Sequence, residues 1–119
     1  MIRRALLTGV LVVAATGTAV CEARAPVAIG VAEREFRISA YRKVVKPGPV
    51  KFNVTNYGED THDLVVRGPR GFQAASAEID SGARTSLTVT FRRPGTYTLL
   101  CMRANHASLG MRAKLLVRR

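Results

Sequence analysis

Four positions in this sequence combine residue types that hold metal ions. The chain has only two histidines, His62 and His106, and two cysteines, Cys21 and Cys101. Cys101 opens the run Cys101-Met102-Arg103-Ala104-Asn105-His106-Ala107-Ser108-Leu109-Gly110-Met111, with four residues between Cys and His and four between His and Met. A loop of that length can fold a thiol, an imidazole and a thioether around one point. His62 shares strand parity with Leu64 and Val66, and Cys101 with Tyr97 and Leu99, so both side chains are expected to face inward. Taken singly, each has a plainer role: a core histidine, a small buried hydrophobe or a core-filling methionine. Their joint placement favours one ligand set of His62, Cys101, His106 and Met111.

The donor types select the metal. Two imidazoles and a thiolate with a weak axial thioether form the electron-transfer copper set. The thiolate suits Cu(I) and the imidazoles suit Cu(II), so a change of charge requires little rearrangement. Zinc competes for Cys and His but prefers a harder fourth ligand. Calcium and magnesium want oxygen donors, which this set lacks. The expectation is one type 1 copper per chain.

The elements that must position these residues read as strands. Phe36, Ile38 and Ala40 alternate with polar neighbours, as do Val50, Phe52 and Val54, then Leu87, Val89 and Phe91, then Ala113, Leu115 and Val117. Turn residues separate them at Pro47-Gly48-Pro49, Tyr57-Gly58-Glu59-Asp60, Gly68-Pro69-Arg70-Gly71, Ser81-Gly82 and Pro94-Gly95. Such a series implies an all-β fold: a Greek-key β-sandwich of two antiparallel or mixed sheets. Arg67 to Gly82 lacks a clean period and is expected to hold loop or a short helix. With 6% aromatics and no Trp, the core must be mostly Val, Leu, Ile and Ala.

From about Glu35 onward the chain resembles the small bacterial cupredoxins, the plastocyanin, azurin, auracyanin and rusticyanin relatives. The matching pieces are Phe52-Asn53-Val54-Thr55-Asn56-Tyr57-Gly58 leading to His62, and Pro94-Gly95-Thr96-Tyr97 leading to Cys101, His106, Gly110 and Met111. The resemblance implies about eight strands with copper near one end. It also implies that His106 lies at the surface, among residues such as Ala104, Ala107 and Leu109, as the exit for the electron. Many members carry Asn after the first histidine, tying the two ligand loops together, where this chain has Asp63. An ionised carboxylate there should favour Cu(II) and lower the reduction potential. Asn56 and Gly58 are expected to form the turn that aims His62.

The first 25 residues read as an export signal, and 26–119 as the copper-binding domain. Arg3 and Arg4 precede an uncharged apolar run from Ala5 to Val20, followed by small residues at Ala23 and Ala25. The run is short for a membrane span. Cleavage after Ala25 would place Pro26 next to the cut, so a cut after Ala23 is a second option. Cys21 is a candidate for lipid attachment, although Val20 and Thr18 depart from the usual pattern. Arg3-Arg4 fits either a twin-arginine signal or ordinary n-region charges. The expected location is the periplasm or cell exterior of a bacterium. Loss of residues 1–25 lowers the formal charge from +11 to about +9. It also leaves Cys101 as a lone cysteine in an oxidising compartment, where metal ligation would explain its presence.

The basic residues have a plain explanation: Lys51, Arg112, Lys114 and Arg118 fall on water-facing strand positions, where they oppose edge pairing. Nucleic-acid binding is not expected, since no aromatic interleaving or motif accompanies them. The leading expectation is a monomeric one-electron carrier that meets an acidic redox partner, drawn by residues such as Arg103 and Arg112. Copper storage, delivery or sensing is the alternative. It is weakened by a mature chain with only Met102 and Met111 rather than a Met-rich tract. An enzyme is not expected, because both histidines belong to one site and none remains for a second.

Overall fold

A computed structural model describes residues 9–18 and 24–119. The features expected at Arg3-Arg4, Cys21 and Ala23 lie outside the described residues. Nine strands follow: β1 (Val27–Arg34), β2 (Arg37–Ala40), β3 (Val44–Val45), β4 (Gly48–Asn56), β5 (Val65–Arg67), β6 (Gln73–Ala75), β7 (Arg84–Phe91), β8 (Gly95–Leu100) and β9 (Arg112–Val117). A single 3-10 turn, Pro69–Gly71, is the one helical element among the described residues.

The strands form two sheets, in the orders β2-β1-β4-β7 and β3-β9-β8-β5-β6. Both are mixed. β1 runs parallel to β4 and β3 parallel to β9, while the other pairings are antiparallel. The expected sandwich is therefore present, with Val50, Phe52, Val54, Val89, Phe91, Leu115 and Val117 all buried as their alternation requires.

This topology gives the sandwich two ends. At one, β4 finishes at Asn56, β8 finishes at Leu100 and β9 begins at Arg112. At the other, Val27 of β1 lies against Val50 near the start of β4, and Gly95 of β8 opposes Val117 near the end of β9. Aromatic packing is concentrated towards this second end. Phe91 lies with its ring centroid 4.7 Å from Tyr97 and 6.2 Å from Phe52. The Tyr97 hydroxyl donates to the Arg93 carbonyl at 2.8 Å, pinning the β7–β8 turn. Among the described residues, the buried polar and charged side chains, Glu33, Asn56, His62 and His106, lie at the first end.

Two strand expectations needed adjustment. His62 does not begin a strand: it forms an isolated bridge with Ile79, and β5 starts three residues later at Val65. The bridge fixes the His62 backbone through two N–H···O bonds to and from Ile79, with N···O distances of 3.0 and 2.7 Å. The unpatterned stretch from Arg67 to Gly82 holds the 3-10 turn and also the short strand β6.

Candidate metal centre

The two ligand loops meet at the first end of the sandwich. The β4–β5 connection supplies His62, and the β8–β9 connection supplies Cys101, His106 and Met111. Asn56 organises the first loop from a fully buried position. Its Oδ1 accepts from the Gly58 amide at 2.8 Å, while its Nδ2 donates to the carbonyls of Asp60 and Ile79 at 2.7 and 2.9 Å. Asn56 therefore ties the turn before His62 to the bridge partner of His62. A Cβ at Gly58 would displace the Glu35 carboxylate from its place beside this turn.

The second loop is a run of tight turns. The His106 amide donates to Arg103, and the Met111 amide returns to the His106 carbonyl at 3.1 Å. Gly110 adopts φ +118, a conformation costly for other residues, and turns the chain back so that Met111 enters the core. The Cys101 amide then donates to the Met111 carbonyl at 3.2 Å. Cys101 and Met111 are both fully buried. Asp63 joins the loops as the family's asparagine is expected to: its Oδ1 accepts from the Met102 amide at 2.8 Å.

These constraints bring three donor atoms together. His62 Nδ1 lies 3.2 Å from His106 Nδ1, and Cys101 Sγ lies 3.9 and 3.6 Å from the two nitrogens. A point equidistant from the corners of that triangle is about 2.1 Å from each, against metal–imidazole bonds of ~2.0–2.1 Å and metal–thiolate bonds of ~2.3 Å. The triangle is the size that one metal ion needs.

The outer nitrogens explain why both Nδ1 atoms face inward. His62 Nε2 lies 3.1 Å from Glu35 Oε1, and His106 Nε2 lies 3.5 Å from Asp60 Oδ2. A carboxylate at each Nε2 favours a proton there, which leaves a lone pair on each Nδ1. With both Nδ1 atoms unprotonated, the pair would offer a cation two donors 3.2 Å apart. Glu35 is itself fixed, accepting from the amides of Glu59 and Asp60 at 2.8 and 2.7 Å. Those amides, that of Asp60 first, hold its carboxyl below the ordinary carboxylate range. Burial raises the Cys101 thiol pKa, and the charges of Asp63 and Glu33 add to the rise.

Sequence reasoning missed Glu35, Asp60 and Glu33. Glu35 stands 27 positions before His62, so no local spacing pointed to it. Asp60 reads as an ordinary turn residue. Glu33 is the sharpest omission. It occupies an inward position of β1 with no exposure, and neither carboxylate oxygen has a hydrogen-bond partner. Burial, with a contribution from Asp63, raises its pKa to about 8.

No family model matches this chain, and no curated relative does. Solved structures do. Reduced auracyanin from Roseiflexus castenholzii is 20% identical, covers 82% of this chain and 100% of its own, and superposes with a TM-score of 0.61. Auracyanin A from Chloroflexus aurantiacus, a blue copper protein, is 18% identical over 79% of this chain and 100% of its own, with a TM-score of 0.66. The chain has a cupredoxin fold. An amicyanin variant in the Cu(I) state, 22% identical, covers 76% of the chain and 82% of its own, with a TM-score of 0.56. Within this cupredoxin fold, the cluster of His62, Cys101 and His106, with Met111 bonded through its backbone to both Cys101 and His106, fits one type 1 copper.

Proposed function

We propose that the chain is an exported type 1 copper protein that carries single electrons between redox partners. His62 Nδ1, Cys101 Sγ and His106 Nδ1 would hold the copper, with the Met111 thioether as a weak fourth donor. The observation that carries this reading is the buried triangle of two Nδ1 atoms and one sulfur, sized for a single ion. When bound, copper supplies a one-electron couple between Cu(I) and Cu(II).

The remaining work belongs to the protein. Glu35 and Asp60 orient the two imidazoles through their Nε2 atoms. Asp63 clamps the loop behind Cys101. The thiol is held protonated in the metal-free protein by burial, so loading releases the Cys101 proton, and affinity should climb with pH. A packed frame of this kind resists movement when the site changes charge. His106 alone of the three clustered residues reaches the surface, at 7% exposure. Its ring lies 5.0 Å from that of Phe36, and Met102 and Leu109 are half exposed on the same loop. His106 is the proposed path for the electron.

Export to the periplasm or cell exterior rests on the leader sequence, and 26–119 is the mature unit in this reading. An acidic partner, expected from the net charge, gains little from the rim of His106. Arg103 is paired with Glu78, and Asp60 lies against His106 itself. The partner in this proposal meets His106 through the apolar residues around it.

Adding Cu(II) to the purified protein and recording its visible spectrum tests the proposal. The expected result is an intense thiolate-to-copper band that disappears in Cys101→Ser. A colourless product that takes only Cu(I) would replace the electron-carrier reading with copper storage or delivery.

A further inference from the structure

The charges of the described chain are divided between the two ends of the sandwich. Every acidic residue from 24 onward lies at the metal end, on the last turn of β1 or in the loops that contact it. Glu33 and Glu35 border the β1–β2 turn, and Glu59, Asp60 and Asp63 lie in the His62 loop. Glu78 and Asp80 flank Ile79, the bridge partner of His62.

Among the described residues the opposite end has no acidic side chain. A cavity of about 460 Å³ there is walled by Arg42, Lys46, Arg118 and Arg119 together with Val27, Val44 and Val45. A neighbouring cavity, of about 370 Å³, is edged by Arg70, Arg92 and Arg93. Among the described residues none of these seven cations takes part in a salt bridge, whereas Arg103 at the metal end does. Unpaired cations gathered on one face produce a field directed at an extended anionic surface rather than at a single ligand.

Chain direction indicates which surface. Val27, a wall of the larger cavity, is the first residue of β1, so the N-terminal segment joins the domain at this end. Seven residues before Val27 ends the uncharged apolar run Ala5 to Val20, whose composition favours lipid. In the export reading, a run that is kept, or replaced by a lipid at Cys21, would hold this end of the domain at the bilayer. The acids at the far end would be repelled by the same surface, which leaves one favoured orientation.

We propose that the cationic end, centred on Arg42, Lys46, Arg118 and Arg119, docks on an anionic lipid bilayer and presents the His106 end to solution. The inference rests on the export reading proposed above together with charge placement and topology, and does not depend on copper.

The test is co-sedimentation of the full chain with phosphatidylcholine vesicles, with and without phosphatidylglycerol, in low salt. The readout is the ratio of the two partition coefficients, which removes any contribution of the apolar run. Two variants with equal loss of charge are compared: Arg42→Ser/Lys46→Ser/Arg118→Ser/Arg119→Ser at the cationic end, and Lys51→Ser/Arg67→Ser/Arg84→Ser/Lys114→Ser on the strand faces. The parent ratio should be at least about tenfold, and should collapse in 0.5 M salt. The first variant should bring it close to one, and the second should keep most of it. Circular dichroism confirms that both variants fold. Equal losses in the two variants would reduce the effect to net charge and overturn the proposal. So would full retention by the first variant, or tighter binding of duplex DNA or polyglutamate than of the anionic vesicles.

Discussion

The two ends of this sandwich solve different physical problems. The cationic end is held by aromatic contacts, with Phe52, Phe91 and Tyr97 edge to face and the Tyr97 hydroxyl bonded to a turn carbonyl. Its polar groups remain in water. The metal end buries Glu33, Asn56, His62 and His106 in a region where each polar atom needs a partner. Asn56 and His62 have partners within the protein; Glu33 has none. The difference teaches where stability is generated and where it is given up: apolar burial stabilises one end, and the other carries polar groups retained for chemistry.

That contrast can be broken by truncating the aromatic end. Phe91→Ala should cost about 3–5 kcal/mol of stability through lost burial and a residual cavity. Chemical denaturation would measure the loss, and the visible band of the copper-loaded variant should keep its position. A shifted band would mean that the two ends are mechanically coupled.

The next largest effect concerns Glu33. Its pKa rises from an ordinary 4.5 to about 8 on folding. Between those values the folded state holds a proton that the unfolded state has released, so stability is full below pH 4.5 and falls as pH rises through 8. The loss should reach a few kcal/mol, since each unit of pKa difference is worth about 1.4 kcal/mol. Melting the metal-free protein from pH 5 to 9 should show this decline, and Glu33→Gln should flatten it. An equal decline in the variant would assign the effect elsewhere.

Smaller changes sharpen the account of the metal end. Glu35→Gln keeps the side-chain shape but weakens the partner of His62 Nε2. Copper affinity should fall by roughly 10- to 100-fold, as for other outer partners of metal-bound histidines. Competition with a chelator measures it, and an unchanged affinity would make Glu35 a loop fastener only. Asp63→Asn keeps an oxygen for the Met102 amide and removes a charge near Cys101. The reduction potential should rise, on the order of 60 mV if the charge is worth one tenfold step in a one-electron equilibrium. An unchanged or lowered potential would remove Asp63 from the electrostatics of the site.

The sandwich was largely legible in the sequence because most of its strands have one wet face and one dry face. Lys51 beside Phe52, and Lys114 beside Leu115, give the contrast that alternation needs. β1 escaped because its contrast is blurred. Its outward positions hold Ala28, Gly30 and Ala32, and its inward positions end in Glu33. Gly30 is small for a reason visible only in three dimensions, since an added Cβ would lie 2.7 Å from the Tyr41 ring. β3 has only two residues, too few to establish a period.

The sequence by itself narrowed the candidate donors to His62, Cys101, His106 and Met111. Scarcity did most of this: two histidines and one cysteine after residue 25 leave few ways to build a soft metal site, and the Cys–His–Met spacing fits one loop. Tertiary structure alone decided that the imidazoles face each other through Nδ1, because that depends on Glu35 and Asp60, which only folding brings to the outer nitrogens. It also decided where the charges stand. A net charge is a sum over the chain, whereas the separation of acids from bases depends on which loops the sheets carry to which end.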